Sequence, residues 1–92
     1  MSSEPIVRRI RIENRMGLHA RPAALLVQAV GGLDCEVLIE KDGEQVNGKS
    51  IMGVMMLAAE YGSEITVTSQ GPDAQRAVVE IERVVARSFD EE

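Results

Sequence analysis

The sequence predicts an α+β domain, and three observations point to it. Two segments, 5–13 and 64–69, alternate apolar and polar residues at the period of a half-buried strand. Two others, 20–30 and 74–89, repeat apolar residues at helical spacings of three and four. Between them lies Asp42-Gly43, a pair favoured in two-residue hairpins. The resulting order is strand, helix, strand, strand, helix, strand, helix, which suits an antiparallel sheet with helices packed on one face.

Ile6, Ile10 and Ile12 share one parity while Arg9, Arg11 and Glu13 take the other, with Arg8 the lone exception, so the first strand runs from Pro5 to about Glu13. Its arginines are expected on a solvated face, where they also guard an edge against pairing. After the turn-like Asn14 to Gly17, residues Ala23, Leu26, Val27 and Val30 mark a helix over 20–30 that Gly31-Gly32 closes. Cys35, Val37 and Ile39 then alternate with Glu36 and Glu40, and a hairpin through Lys41-Asp42-Gly43-Glu44 returns along Gln45 to Asn47. Ser50 stands before Ile51, Met52, Met55 and Met56, in the position of an N-cap for a short helix ending before Gly62. Ile65 and Val67 alternate with Thr66 and Thr68 in the last strand, and Gly71-Pro72-Asp73 turns into a helix cap. The final helix carries the clearest stripe: Ala74, Ala77, Val78, Ile81, Val84, Val85 and Phe89. Asp90-Glu91-Glu92 reads as a frayed end.

A length of 92 residues fits one domain over 1–92, with 45% hydrophobic and 27% charged residues well inside the globular range. Such a chain buries about 60 to 65% of its unfolded surface, enough for one core, so any functional site must be shallow. The net charge of −5 lacks the positive field that nucleic acid demands, and only Tyr61 and Phe89 are aromatic, too few for base stacking. Cys35 is the lone cysteine, which excludes an internal disulfide and a cysteine zinc cage and fits a reducing compartment, read here as the cytoplasm. Met1 to Arg9 contains no apolar run resembling a secretory signal, and 51–59, the longest weakly polar stretch, is about half a membrane span.

The chemistry centres on His19, the single histidine, beside Ala20-Arg21-Pro22-Ala23 where the first helix begins. At the N-cap it would stand before backbone amides that have no helical acceptor. Pro22, lacking an amide hydrogen and fixed in φ, fits that first turn. A phosphoryl group on the ring would meet the amides of Ala20 and Arg21, the positive helix end and the Arg21 guanidinium together. A bond to imidazole nitrogen is made and broken more readily than a serine phosphate ester, which suits relay of the group. Set against this, a single histidine at a helix start can be purely structural, and Gly17 is read as a backbone requirement with Leu18 in the core.

Gly17-Leu18-His19-Ala20-Arg21-Pro22-Ala23 closely resembles the active-site signature of the HPr family, histidine-containing phosphocarriers of the bacterial phosphoenolpyruvate-dependent phosphotransferase system. Asn47-Gly48-Lys49-Ser50-Ile51-Met52-Gly53-Val54-Met55 resembles the family's regulatory serine region, in register with the first motif. The resemblance implies an open-faced β-sandwich, a four-stranded antiparallel sheet with three helices on one face. It implies that His19 is phosphorylated at Nδ1 by phospho-enzyme I and passes the group to enzyme IIA components, with Arg21 steadying it. It implies a carrier rather than a turnover enzyme, with no nucleotide, metal or other cofactor of its own. The oligomeric state stays open, and a monomer is the form most useful to a freely diffusing shuttle. For Ser50 it implies phosphorylation, in some hosts, by an ATP-dependent HPr kinase/phosphorylase, with a transcriptional regulator as a further partner. Ser50 as a plain N-cap is the competing structural explanation.

Ile51, Met52 and Met55 are expected to face partners, because flexible, polarizable methionines adapt to unlike surfaces. Arg21 and Lys49 are the main cations expected near the site, where the sugar-transport carriers often have several lysines. Here Gln28, Gly31 and Gly53 occupy the surrounding stretches, and Met16 stands where small polar residues are common. The nitrogen-branch NPr proteins look similar, so both branches stay open. Two other functional classes also stay open: a noncatalytic regulatory module centred on Ser50, and a small phosphatase, the latter without a metal cluster or second acid/base group in the sequence to support it.

Overall fold

The computed structural model describes residues 4–90. Its elements run β1 (Ile6–Arg11), α1 (Ala20–Val30), β2 (Glu36–Lys41), β3 (Glu44–Asn47), α2 (Ile51–Met56), β4 (Glu64–Gln70) and α3 (Ala74–Ala86), then a 3-10 turn, Ser88–Asp90. The strands form one antiparallel sheet in the order β1-β4-β2-β3. Period-two patterning fixes the register: Ile10 faces Ile65, and Val67 faces Ile39, which in turn faces Val46. Val37, Ile39, Ile65 and Val67 are buried together with Leu26, Val30, Val54, Ile81 and Phe89 in a single core, so the three helices cover one face of the sheet. The α+β order read from the sequence is the observed one.

Several boundaries differ for physical reasons. β1 is an edge strand, and Arg8, on the core-facing parity, lies at that edge and reaches Glu82 of α3 at 3.9 Å. The Asp42-Gly43 loop is as expected, both residues being left-handed at φ 53° and 86° while Lys41 pairs with Glu44. α1 does end at Val30, but Gly31 stays right-handed at φ −60°. The chain breaks away instead through Leu33, whose amide reaches the Val30 carbonyl at 3.1 Å. α2 stops well short of Gly62, because Ala58 turns left-handed at φ 51° and sends Leu57 and Ala59 into the core. Asp73 holds the N-cap position of α3 without capping it: its carboxylate accepts the Asp34 amide at 2.7 Å, and its own amide donates to the Asp34 carbonyl at 3.1 Å.

Phe89 does not extend the α3 stripe as helix. The chain leaves α3 at Ala86, and Ser88 and Phe89 turn left-handed at φ 51° and 55°. That conformation costs on the order of 1–3 kcal/mol per residue and is offset by complete burial of the largest core side chain. Of the frayed end expected at 90–92, Glu91 and Glu92 lie outside the described residues. No helix among the described residues is long and apolar enough to cross a membrane.

Candidate phosphoryl site at the mouth of the first helix

His19 is the N-cap of α1, with extended backbone at φ −81° and ψ −168°, and its side chain does not cap the helix. The His19 carbonyl accepts the Ala23 amide at 3.0 Å, which closes the first turn. Ahead of that bond stand the amides of Ala20 and Arg21, which have no acceptor among the described residues. The third position is Pro22, which has no amide to leave unsatisfied and is buried against the core. No acidic residue occupies the first turn, so the positive end of an 11-residue helix is uncompensated. The Arg21 side chain is exposed and forms no ion pair among the described residues. The N-cap, the two amides and the arginine thus come together as the sequence predicts.

The loop before the helix is held rigidly. Gly17 is left-handed at φ 69°, and a β-carbon there would lie 2.3 Å from the Ala59 carbonyl oxygen and 2.9 Å from the Glu60 Cα. The Leu18 amide donates to that same Ala59 oxygen at 2.8 Å, and Leu18 itself is core. Asn14, fully buried, donates from Nδ2 to the Gly17 carbonyl at 2.8 Å. Upstream of the loop, Ile12 exchanges backbone bonds with Ser63 and Gly62, both at 2.8 Å. His19 is therefore presented from a backbone clasp between 14–18 and 58–63.

This clasp opens onto a shallow cleft of about 240 Å³, lined by Met16, Leu18, His19, Ala58, Ala59 and Glu60. Sequence reading missed the contributions of Asn14 and of 58–60. The position of Asn14 beside a turn gives only a faint signal, and nothing local in 58–60 signals proximity to a histidine some 40 residues earlier. The β1–β4 pairing brings them together.

Ser50 is the N-cap of α2, and its Oγ accepts the Gly53 amide at 3.1 Å. Beyond it, Ile51, Met52, Met55 and Met56 are all exposed, Met52 at 71%, while Val54 and Leu57 take the inward positions. α2 packs against α1, and Ala58 and Ala59 of the cleft follow it directly. Met16, at 72% exposure, adds another apolar side chain at the cleft. Lys49 does not join the site. Its Nζ donates to the Leu33 carbonyl at 2.6 Å, beyond the far end of α1, and its amide is held by Asn47. Cys35 is a free thiol.

A family described as the PTS HPr component phosphorylation site matches residues 6–87. The chain is 47% identical over 87 residues to phosphocarrier protein HPr of Treponema pallidum, covering 95% of this chain and 99% of that one. It is 45% identical over 73 residues to the HPr-like protein Crh of Bacillus subtilis, covering 79% and 86%. Among solved structures, HPr-C-His from Thermoanaerobacter tengcongensis superposes with a TM-score of 0.90 at 38% identity, covering 95% of this chain and 98% of that one.

Proposed function

The chain belongs to the HPr family of phosphocarriers of the phosphotransferase system, and from that premise we propose that residues 1–92 act as one HPr domain carrying its phosphoryl group on His19. The observation that supports this most is His19 at the N-cap of α1, immediately ahead of two unengaged amides, Ala20 and Arg21, in a first turn that also holds the exposed Arg21. In the first transfer, the phosphorus–nitrogen bond of phospho-enzyme I breaks as one forms to His19 Nδ1. In the second, that bond breaks as the group passes to an enzyme IIA component. The helix mouth and Arg21 favour the anion without enclosing it, so the group stays accessible to an acceptor. No small-molecule turnover is involved, and the setting is the cytoplasm.

Ile51, Met52 and Met55 form the docking surface, and the protein works as a monomer, since a stable dimer across that surface would cover it. Contacts of this kind are modest in area and quick to release, as a relay requires. Incubation with phosphoenolpyruvate and enzyme I is expected to add one acid-labile, alkali-stable phosphoryl group, and His19→Ala to abolish it. Absence of labelling by every cognate enzyme I would overturn the proposal.

A regulatory role for Ser50 draws support from its place as an N-cap beside the exposed Ile51 and Met52. A phosphate there would add charge and a water shell to an apolar docking surface and so act as a brake. ATP-dependent labelling by HPr kinase/phosphorylase, lost in Ser50→Ala, tests it. A transcriptional regulator that binds the Ser50-phosphorylated form is the partner this chemistry suits.

A further inference from the structure

Glu60 lines the same cleft as His19, and among the described residues no other acidic residue does so. Its main chain is fixed on both sides of the site. The Glu60 Cα is among the atoms that exclude a β-carbon from Gly17, two residues before His19. The Glu60 amide donates to Ser63 Oγ at 3.0 Å, and the Ser63 amide donates back to the Glu60 carbonyl at 2.9 Å. An exposed carboxylate is thus carried on a rigid turn at the wall of a cleft whose other lining, His19 apart, is Met16, Leu18, Ala58 and Ala59.

A phosphoryl group bound at His19 brings about two negative charges into that space. The amides of Ala20 and Arg21 and the Arg21 side chain attract it, while Glu60 repels it. We propose that Glu60 tunes the phosphoryl-transfer potential of His19, making the phosphorylated ring a readier donor and the unmodified ring a less ready acceptor. This rests on the carrier function proposed above and deepens it. The transfer itself is unchanged: one phosphorus–nitrogen bond breaks as another forms, and Glu60 takes no part in either bond. For charges facing a common water-filled cleft of about 240 Å³, the effect on the equilibrium is roughly two- to fivefold at low ionic strength, and it fades as salt screens the pair.

An internal competition reads this directly. Isotope-labelled wild type and unlabelled Glu60→Gln are mixed in equal amounts with catalytic enzyme I and limiting phosphoenolpyruvate. Intact mass then gives the share of phosphoryl group on each protein at equilibrium. Glu60→Gln is expected to hold roughly two to five times the wild-type share at low salt, with the ratio falling towards one in about 1 M salt. Glu60→Asp, which keeps the charge, is expected to share equally with wild type. A low-salt ratio of one or below for Glu60→Gln, or a ratio indifferent to salt, overturns the tuning role while leaving the carrier intact. Absence of label on both proteins, or label that survives His19→Ala, overturns the carrier function and this inference with it.

Discussion

Gly17 and Ala59 are packed backbone against backbone: the Ala59 carbonyl that accepts the Leu18 amide at 2.8 Å would lie 2.3 Å from any β-carbon on Gly17. The oxygen belongs to main chain and cannot swing aside, and φ at Gly17 is 69°. Gly17→Ala is therefore expected to cost about 3 kcal/mol in urea unfolding, from left-handed strain and the displaced clasp together. Because the clasp presents His19, phosphoryl acceptance from enzyme I should fall in the fraction that remains folded.

Asp73 and Asp34 form a second clasp at the other end of α1. The Asp34 amide reaches the Asp73 carboxylate at 2.7 Å, so Asp73→Ala removes a charge-assisted bond between two partly exposed loops. A loss of about 1 to 2 kcal/mol is expected in urea unfolding. His19 lies a full helix length away, roughly 16 Å at 1.5 Å per residue, so the rate of phosphorylation by enzyme I should be unchanged.

These two clasps mark the limit of what the sequence made legible. Strand and helix order, the Asp42-Gly43 turn, the α3 stripe and the N-cap place of His19 are local properties, written in period and in turn chemistry over a few residues. What surrounds His19 is not local. Ala58 turns left-handed without being glycine, Asp73 ignores its own helix to hold Asp34, and Lys49 reaches Leu33 rather than the site. Each choice is set by tertiary packing, which outweighs the intrinsic preference of the residue. The same holds for Phe89, where core burial overrides the helical continuation its spacing suggested.

Ser50 separates capping from charge. Ser50→Ala deletes the acceptor for the Gly53 amide at 3.1 Å and is expected to cost about 1 kcal/mol by chemical denaturation. Ser50→Asp retains an oxygen able to cap and should stay within about 0.5 kcal/mol of wild type. It places a negative charge beside exposed Ile51 and Met52, so the KM of enzyme I for this variant should rise while that for Ser50→Ala changes little. Equal KM values for both variants would show that charge at Ser50 does not reach the proposed docking surface.

Met52 separates docking from stability. With 71% of its surface exposed, truncation to alanine removes little packing, and Met52→Ala should unfold within about 0.5 kcal/mol of wild type. If the side chain enters a partner pocket, the same change should raise the KM of enzyme I severalfold with kcat nearly constant, because it removes binding shared by ground and transition states. A fall in kcat at constant KM would instead place Met52 in the transfer step.

Ser69 is a position where the core can be improved. It is fully buried on β4, between Ile6 of β1 and Val37 of β2, and its hydroxyl has no partner among the described residues. An unpaired buried hydroxyl costs about 1 to 3 kcal/mol relative to water, whereas alanine removes the polar atom and leaves a gap smaller than a methyl group. Part of that gain is lost to the small cavity, so Ser69→Ala is expected to raise stability by about 0.5 to 1 kcal/mol, read as a higher urea midpoint at unchanged slope. The residue lies outside the His19 clasp, so phosphoryl acceptance should stay at the wild-type rate. A loss of stability on Ser69→Ala would mean that the hydroxyl is satisfied in solution, and hydrogen exchange at the neighbouring β4 amides would then report the bond it makes.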